Sequence, residues 1–200
     1  MKESNKELSV MAAVTIDGKA LSASHQVHSI QITLNADDES LATVTINESS
    51  QATDSIHFPD SIQPHSDIEI ALGYDTAATV FSGTLIALEA RVASGLGTVV
   101  VLNAVNDADY PEANEVSVCF EYGESLLDFN GVTHFEGSST EQSAFPCEVE
   151  LTVQGQAHLL PGQKVALKNC SAWFDGNYQI LAIRHTMENG NWLSQLVVCR

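Results

Sequence analysis

The sequence of 200 residues predicts an all-β protein. Apolar residues recur at every second position in most of its apolar segments, as expected for strands that bury one face. Turn-forming pairs, among them Pro161-Gly162 and Asn189-Gly190, separate these segments at short intervals. Because 44% of the residues are hydrophobic, the chain can bury a substantial core. Short strands with such turns between them are typical of a barrel or a sandwich.

The first half of the sequence contains five predicted strands. The longest alternation, Val27 to Leu34, is followed by the polar segment 35–40, which predicts a loop before the next strand. The segment Gly73-Tyr74-Asp75 ends the third strand in the same way. The five strands are expected at residues 27–34, 44–46, 68–72, 80–86 and 98–102.

The second half repeats this pattern, with one exception. The apolar pair Leu126-Leu127 follows Gly123 without alternation and predicts one short helix over 124–130. Residues 135–144, rich in Gly, Ser and Thr, predict a loop. Strands are expected at residues 116–120, 147–153, 165–167, 178–183 and 192–198.

We expect two all-β domains of similar size. The polar segment 109–114, which contains Pro111, is the predicted boundary between them. The first domain would comprise residues 8–110 and the second residues 111–200, including the loop 135–144.

The charge of the chain excludes several classes of partner. Eight Lys and Arg residues against 26 Asp and Glu residues give a net charge of −18. Specific nucleic-acid binding is excluded because phosphate affinity depends on cationic contacts, and an anionic membrane surface is disfavoured for the same reason. No apolar run is long enough for a transmembrane span or a signal peptide. We therefore expect the chain to be made in the cytoplasm, without membrane insertion or secretion.

The acidic residues are also unevenly placed. No basic residue lies between Lys19 and Arg91, or between Arg91 and Lys164. The acids in these windows form negative faces, for which two interpretations stay open. They are a solvated surface that maintains solubility, or they line a passage through which polyanions move without binding.

No constellation of residues indicates catalysis, a cofactor or a metal. The four cysteines, at positions 119, 147, 170 and 199, lack the spacing of a zinc site and are predicted to be buried free thiols. His25 and His28 point to opposite faces of a strand, so they would not share a metal. Asp107 and Asp109 lack the rest of a calcium loop, and no Gly-x-Ser-x-Gly motif is present.

Three stretches carry a family resemblance. The first begins at Val14-Thr15-Ile16-Asp17-Gly18 and continues to Val80-Phe81-Ser82-Gly83. The second runs from Phe120-Glu121-Tyr122-Gly123 to Leu127. The third, the most specific, contains Pro161-Gly162, Trp173-Phe174-Asp175-Gly176-Asn177-Tyr178, His185 and Gly190-Asn191-Trp192 in order.

These stretches resemble the hub family of contractile injection machines. The family includes phage late control D proteins, the phage baseplate hub and the hub portion of valine-glycine-repeat spike proteins. The resemblance implies two tandem barrels like those of tail tube proteins, with three chains forming a pseudo-sixfold ring that joins a threefold spike to a sixfold tube. Such an adapter is a structural protein without a catalytic residue, cofactor or metal, and it acts inside an assembled phage tail or injection particle.

The sequence departs from the family pattern in one respect, and the resemblance does not identify the residues that contact partners. The family usually has a further domain between its two barrels, whereas here only residues 106–115 separate the halves. From size and hydrophobicity we predict interface residues Trp173, Phe174, Tyr178 and Trp192, with His185 packed or hydrogen-bonded rather than catalytic.

Three alternatives stay open at this stage. The chain could be a tail tube or tube-terminator protein made of fused barrels. It could instead be a β-barrel module that binds a small ligand or a glycan. A hydrolase with scattered catalytic residues is the third alternative, although nothing in the sequence points to one.

Overall fold

The fold was obtained as a computed structural model, which describes residues 9–21, 25–48, 62–93, 97–106, 108–110, 113, 115–132 and 148–200. These residues form thirteen strands and no helix, which confirms the all-β prediction. Accordingly, none of them belongs to a helix that could cross a membrane. The strands are β1 (Met11–Ile16), β2 (Lys19–Ala20), β3 (His25–Asn35), β4 (Ser40–Glu48), β5 (Asp67–Gly73), β6 (Ala78–Ala93), β7 (Gly97–Asn106), β8 (Val116–Glu121), β9 (Leu126–Val132), β10 (Glu148–Gln154), β11 (Lys164–Lys168), β12 (Gly176–Glu188) and β13 (Asn191–Cys199).

The chain forms two compact units. Unit 1 comprises Met1–Gln31, Leu41–Asn106 and Thr186–Trp192. Unit 2 comprises Ile32–Ser40, Asp107–His185 and Leu193–Arg200. The domain bounds 8–110 and 111–200 stay a prediction, and the predicted loop 135–144 lies outside the described residues.

Unit 1 is an antiparallel arrangement in the order β2-β1-β5-β6-β7-β4-β3. Buried residues face each other across its ladders, as Val14 and Ile70 do between β1 and β5. The Asp17-Gly18 turn joins β1 to β2, with positive φ angles of 49° and 72°. Asp17 also fastens this turn to β5, because its carboxylate accepts hydrogen bonds from Ser66 Oγ (2.8 Å) and the Asp67 N–H (3.0 Å).

Unit 2 contains the order β12-β13-β10-β9, and β11 pairs with β12 and, in parallel, with β8. Its core side chains alternate along the strands, as Val149, Leu151 and Val153 do on β10. The predicted Pro161-Gly162 turn is confirmed, because Gly162 has φ 81° and the Gln163 N–H donates to the Leu160 carbonyl (3.3 Å).

The predicted helix over 124–130 is wrong. Residues 123–125 form a turn, and β9 begins at Leu126. Leu126 is buried whereas Leu127 is exposed, so the two residues point to opposite faces of a strand. Pairing of β9 with β10, which sets Phe129 opposite Leu151, satisfies the backbone groups that a helix would have satisfied internally.

The cysteines are less buried than predicted. Cys119 is exposed, Cys170 and Cys199 are half-buried, and all three are free thiols. Cys147 lies outside the described residues. The prediction of buried thiols is therefore wrong for Cys119, whose side chain lies on the outer face of β8, next to the buried Phe120.

Candidate functional site

The loop between β11 and β12 is the first candidate contact surface. It comprises residues 169–175, here called the Trp173 loop. The Trp173 side chain is 57% exposed, the largest exposed fraction among the exposed large hydrophobic residues of the described chain. An exposed tryptophan held on an ordered loop is a typical anchor for a protein partner.

Asp175 organises the Trp173 loop. Its Oδ1 accepts hydrogen bonds from the N–H groups of Cys170 (2.9 Å) and Ser171 (3.3 Å), and its Oδ2 accepts one from Asn169 (3.3 Å). The sequence pair Asp175-Gly176 is typical of a tight hairpin, but no such hairpin forms here. Asp175 closes a seven-residue loop, and Gly176 begins β12. Burial and the nearby Asp175 carboxylate both raise the pKa of the Cys170 thiol.

Phe174 and Tyr178 anchor this loop to the body of unit 2. The Phe174 ring meets Phe129 of β9 edge to face, with ring centroids 5.2 Å apart. Tyr178 is buried and donates a hydrogen bond from its hydroxyl to the Phe174 carbonyl (2.8 Å). Arg200 completes the arrangement, since its guanidinium lies 5.0 Å from the centre of the Tyr178 ring and donates to the Asp175 carbonyl.

Two further exposed apolar side chains lie near the start of this region. Tyr122 and Leu127 flank the turn between β8 and β9, and both are more than half exposed. The Tyr122 N–H donates to the carbonyl of Lys168, the residue before the Trp173 loop (3.1 Å). Tyr122 and Leu127 therefore add exposed apolar surface beside the turn between β8 and β9.

Trp192, the fourth predicted interface residue, belongs to unit 1. Its side chain is 2% exposed and stacks in a tilted arrangement on Tyr74, with ring centroids 5.6 Å apart. Tyr74 also donates from its hydroxyl to the Trp192 carbonyl (3.1 Å). Trp192 and Tyr178 thus have core positions, while Trp173 is solvent-facing. Whether any of the four contacts another chain stays a prediction.

His185 is packed and hydrogen-bonded in unit 2, as expected. Its Nδ1 lies 2.8 Å from Ser194 Oγ, and both side chains are fully buried. The Gln156 N–H donates to the same hydroxyl (3.3 Å). Burial lowers the pKa of His185 to about 4, so the ring is neutral at physiological pH. With no solvent access, this pair serves packing.

A polar groove lies on the outer face of unit 2. Its volume is about 440 Å³, and the register places its residues in cross-strand rows, with Glu150 between Asn130 and Val197. Among the described residues, no aromatic side chain lines it. The polar side chains that line it are those of Thr33, Asp128, Asn130, Glu150, Thr152, Arg184 and Gln195.

The groove was not predicted from the sequence. Its residues come from β3, β9, β10, β12 and β13, so only the strand pairing brings them together. The sequence signal that could have indicated the groove was the alternation of polar and apolar residues along the strands, because outward-facing positions such as 128, 150 and 195 are polar. Among the described residues, no group of three or more His, Cys, Asp or Glu side chains is arranged to hold a metal ion.

Comparison with known proteins gives one family match. Residues 6–110 match the model of the Alg8 N-terminal domain family. This family differs from the late control D family that the sequence resembles, so the late control D assignment stays a prediction. No curated protein matches the chain.

Solved structures of tail proteins share the fold. A tail protein from Neisseria meningitidis MC58 has a TM-score of 0.66 at 7% identity, covering 96% of this chain and 97% of its own. The 43 kDa tail protein of prophage MuSo2 from Shewanella oneidensis has a TM-score of 0.64 at 11% identity, with the same coverage of 96% and 97%.

A third similar structure comes from a secretion machine. It is the E. coli c3393 protein, described as a type VI secretion component with structural similarity to the phage T4 tail proteins gp27 and gp5. The TM-score is 0.61 at 10% identity, covering 92% of this chain and 76% of the other. The chain therefore shares its fold with two tail proteins and a type VI secretion component.

Proposed function

We propose that this chain, which belongs through residues 6–110 to the Alg8 N-terminal domain family, is a structural component of a phage tail or a tail-like injection apparatus. The observation that carries this proposal is the extent of the fold match. Two tail proteins correspond to 96% of this chain and 97% of their own chains, so the similarity covers both units. A shared fold alone does not fix function, which makes assembly with tail proteins the property to test.

Within such an apparatus, we assign the chain the role of a hub or adapter. Three copies, each with two barrels, would form a pseudo-sixfold ring that joins a threefold spike to a sixfold tube. Structural similarity of a neighbour to gp27 and gp5 supports this choice, as do the three sequence stretches of the hub family. The role requires contact surfaces and no reaction, so we propose that the chain is not an enzyme.

The proposed partners follow from this role. They are further copies of the chain, the tail tube protein and the spike protein. The chain would be made in the cytoplasm and would bind these partners during assembly of the particle. Trp173 is the proposed anchor for one of these partners, because it is exposed on a loop that Asp175 and Phe174 hold in place. A net charge of −18 argues against specific nucleic-acid partners.

Ligand binding is the second candidate function, and the polar groove of unit 2 favours it. Its seven polar side chains converge on a space of about 440 Å³, which falls within the usual size range of ligand sites. Hydroxyl-rich ligands such as glycans would match carboxylate, amide and guanidinium groups. Sugars usually stack on an aromatic ring, and the described lining of the groove supplies none, so this candidate ranks second.

Capture of the neighbouring proteins tests the proposed function. The purified chain is mixed with the tube protein and the spike protein from the same genome, and complexes are measured by size-exclusion chromatography and electron microscopy. We expect the chain to bind both partners and to form rings. Trp173→Ala should weaken one of the two complexes about tenfold or more, as loss of a hot-spot tryptophan does.

Leu41→Ala provides the matched control, because Leu41 is an exposed apolar residue of unit 1. We expect it to leave both complexes unchanged. Open-ended stacking with the tube protein would instead identify a tube protein. Failure to bind either partner would contradict the hub role, and saturable glycan binding in that case would support the groove as the functional site.

A further inference from the structure

Within the described residues, one long strand of unit 1 pairs on both sides over only part of its length. The ladder between β5 and β6 covers Ala78–Thr84, whereas the ladder between β6 and β7 continues to Ala93. Residues 86–93 are here called the β6 outer edge. All six residues from 86 to 91 are exposed, and no strand of the described chain pairs with this edge.

The hydrophobic core stops one strand before this edge. Leu102 of β7 is fully buried, but Leu88, directly opposite on β6, is 43% exposed. Val100 is likewise buried while Ala90 opposite is exposed. A recess of about 40 Å³ is lined by Ile86 and Leu88 on β6 and by Ile62 and Pro64 of the preceding segment. One more strand along β6 would cover these side chains and satisfy the edge, which is otherwise prone to aggregation.

This edge does not carry the excess of negative charge that the rest of the chain has. The β6 outer edge carries Glu89 and Arg91, whose side chains lie 3.4 Å apart, so its net charge is zero. Arg91 is the only basic residue between Lys19 and Lys164, and its side chain is 77% exposed. A second chain with a charge of −18 therefore meets less repulsion here than at the acidic surfaces.

Unit 2 supplies an edge with a carboxylate that could pair with Arg91. Within the described residues, β9 pairs with β10 on one side only, and its Leu127 is 54% exposed. Asp128 is the only charged residue of β9, and its carboxylate accepts a hydrogen bond from the N–H of Phe129 (2.9 Å). The other candidate edge, β8, has Glu121 as its only charged residue, and Asn169 already donates to that carboxylate.

We propose that the β6 outer edge of one copy pairs with β9 of a second copy, which brings Arg91 next to the partner's Asp128. The two edges are different surfaces, so the contact is head-to-tail and can close into a ring. The inference rests on the proposed function, since it specifies how copies of the hub would join.

A charge exchange tests this pairing. The mass of the full-length chain is measured by light scattering over a range of concentrations for the native protein, Arg91→Glu, Asp128→Arg and the double variant. We expect the native chain to reach 64.5 kDa, three times the 21.5 kDa of one chain. Each single variant should require about fivefold more protein to associate, a typical effect for an exposed ion pair, and the double variant should recover.

Asp38→Arg is the control, because Asp38 is an exposed acid outside β9 and should not rescue Arg91→Glu. Amide hydrogen exchange provides the backbone readout: residues 86–93 and 126–132 should exchange more slowly in the assembled form. A native chain that stays monomeric, or single variants with unchanged association, would overturn the pairing. Rescue of Arg91→Glu by Glu89→Arg instead would assign the contact to two β6 edges and also overturn it.

These failures are distinguishable from failure of the proposed function. If the charge variants associate normally and the chain still binds the tube and spike proteins, the hub role stands and the β6–β9 contact is overturned. If neither partner binds, the hub role fails whatever the mass measurement gives.

Discussion

At the scale of single residues, His185 connects burial to pH dependence. The neutral ring lies against Ser194 without solvent access, and burial lowers its pKa to about 4 from an ordinary value of 6.5. Between these two values the unfolded chain binds a proton that the folded chain does not. Stability from this group is therefore fully present above pH 6.5 and is lost as the pH falls towards 4.

We predict that protonation of His185 lowers the unfolding free energy of the native protein by about 3 kcal/mol as the pH falls from 6.5 to 4. The change to test is His185→Asn, which removes the titrating ring and retains an amide that can bond to Ser194 Oγ. Urea denaturation at each pH gives the unfolding free energy of both proteins. The value for the native protein minus the value for the variant should fall as the pH is lowered from 6.5 to 4.

His28→Asn is the control, because His28 is an exposed histidine on β3. Its unfolding free energy should follow that of the native protein at every pH. Parallel curves for the native protein and His185→Asn would contradict the argument, since they would mean that His185 takes up its proton without unfolding.

At the scale of structural elements, the Trp173 loop depends on one carboxylate. Asp175 accepts three backbone N–H groups from residues 169–171, so it replaces the ladder bonds that a strand would provide. Phe174 then fixes the loop against Phe129 of β9. The exposed Trp173 is held between these two anchored positions.

Asp175→Ala should loosen this loop and destabilise unit 2 by about 1–2 kcal/mol, because exposed hydrogen bonds to a charged acceptor are each of modest strength. Urea denaturation gives the stability, and the rotational mobility of Trp173 follows from fluorescence anisotropy. Asp38→Ala is the matched control: it also removes one negative charge from an exposed loop, but Asp38 accepts none of the loop hydrogen bonds described for Asp175. Equal effects of the two variants would contradict the role of Asp175.

Turns were predictable from the sequence, but the connections between distant segments were not. Pro161-Gly162 has the predicted turn, and Asn189 and Gly190 both have positive φ angles at the predicted hairpin. Local residue preferences are sufficient in these cases. The predicted helix over 124–130 failed because pairing with β10, a segment distant in sequence, overrides a weak local pattern.

The candidate surfaces show the same division. Hydrophobicity and size selected Trp173 and Trp192 equally, yet one is exposed and the other is buried against Tyr74. Their difference depends on tertiary packing that the sequence pattern does not encode. The polar groove and the open β6 edge likewise follow from which strands pair and where each ladder ends.

At the scale of the whole molecule, the proposed structural role can be compared with the fold and the charge. The fold of both units has counterparts in tail proteins. A charge of −18 keeps such a chain soluble before assembly and disfavours adhesion to polyanions. Both properties fit the proposed role as a structural part of a tail or injection apparatus.

The most direct test of the central claim is the composition of purified tail or injection particles from the source organism. Quantitative mass spectrometry of these particles would give the number of copies of this chain relative to the tube and spike proteins. The hub role predicts about three copies in each particle, equal to the number of spike chains. Absence from the particles, while the chain is present in the cell extract, would contradict the claim.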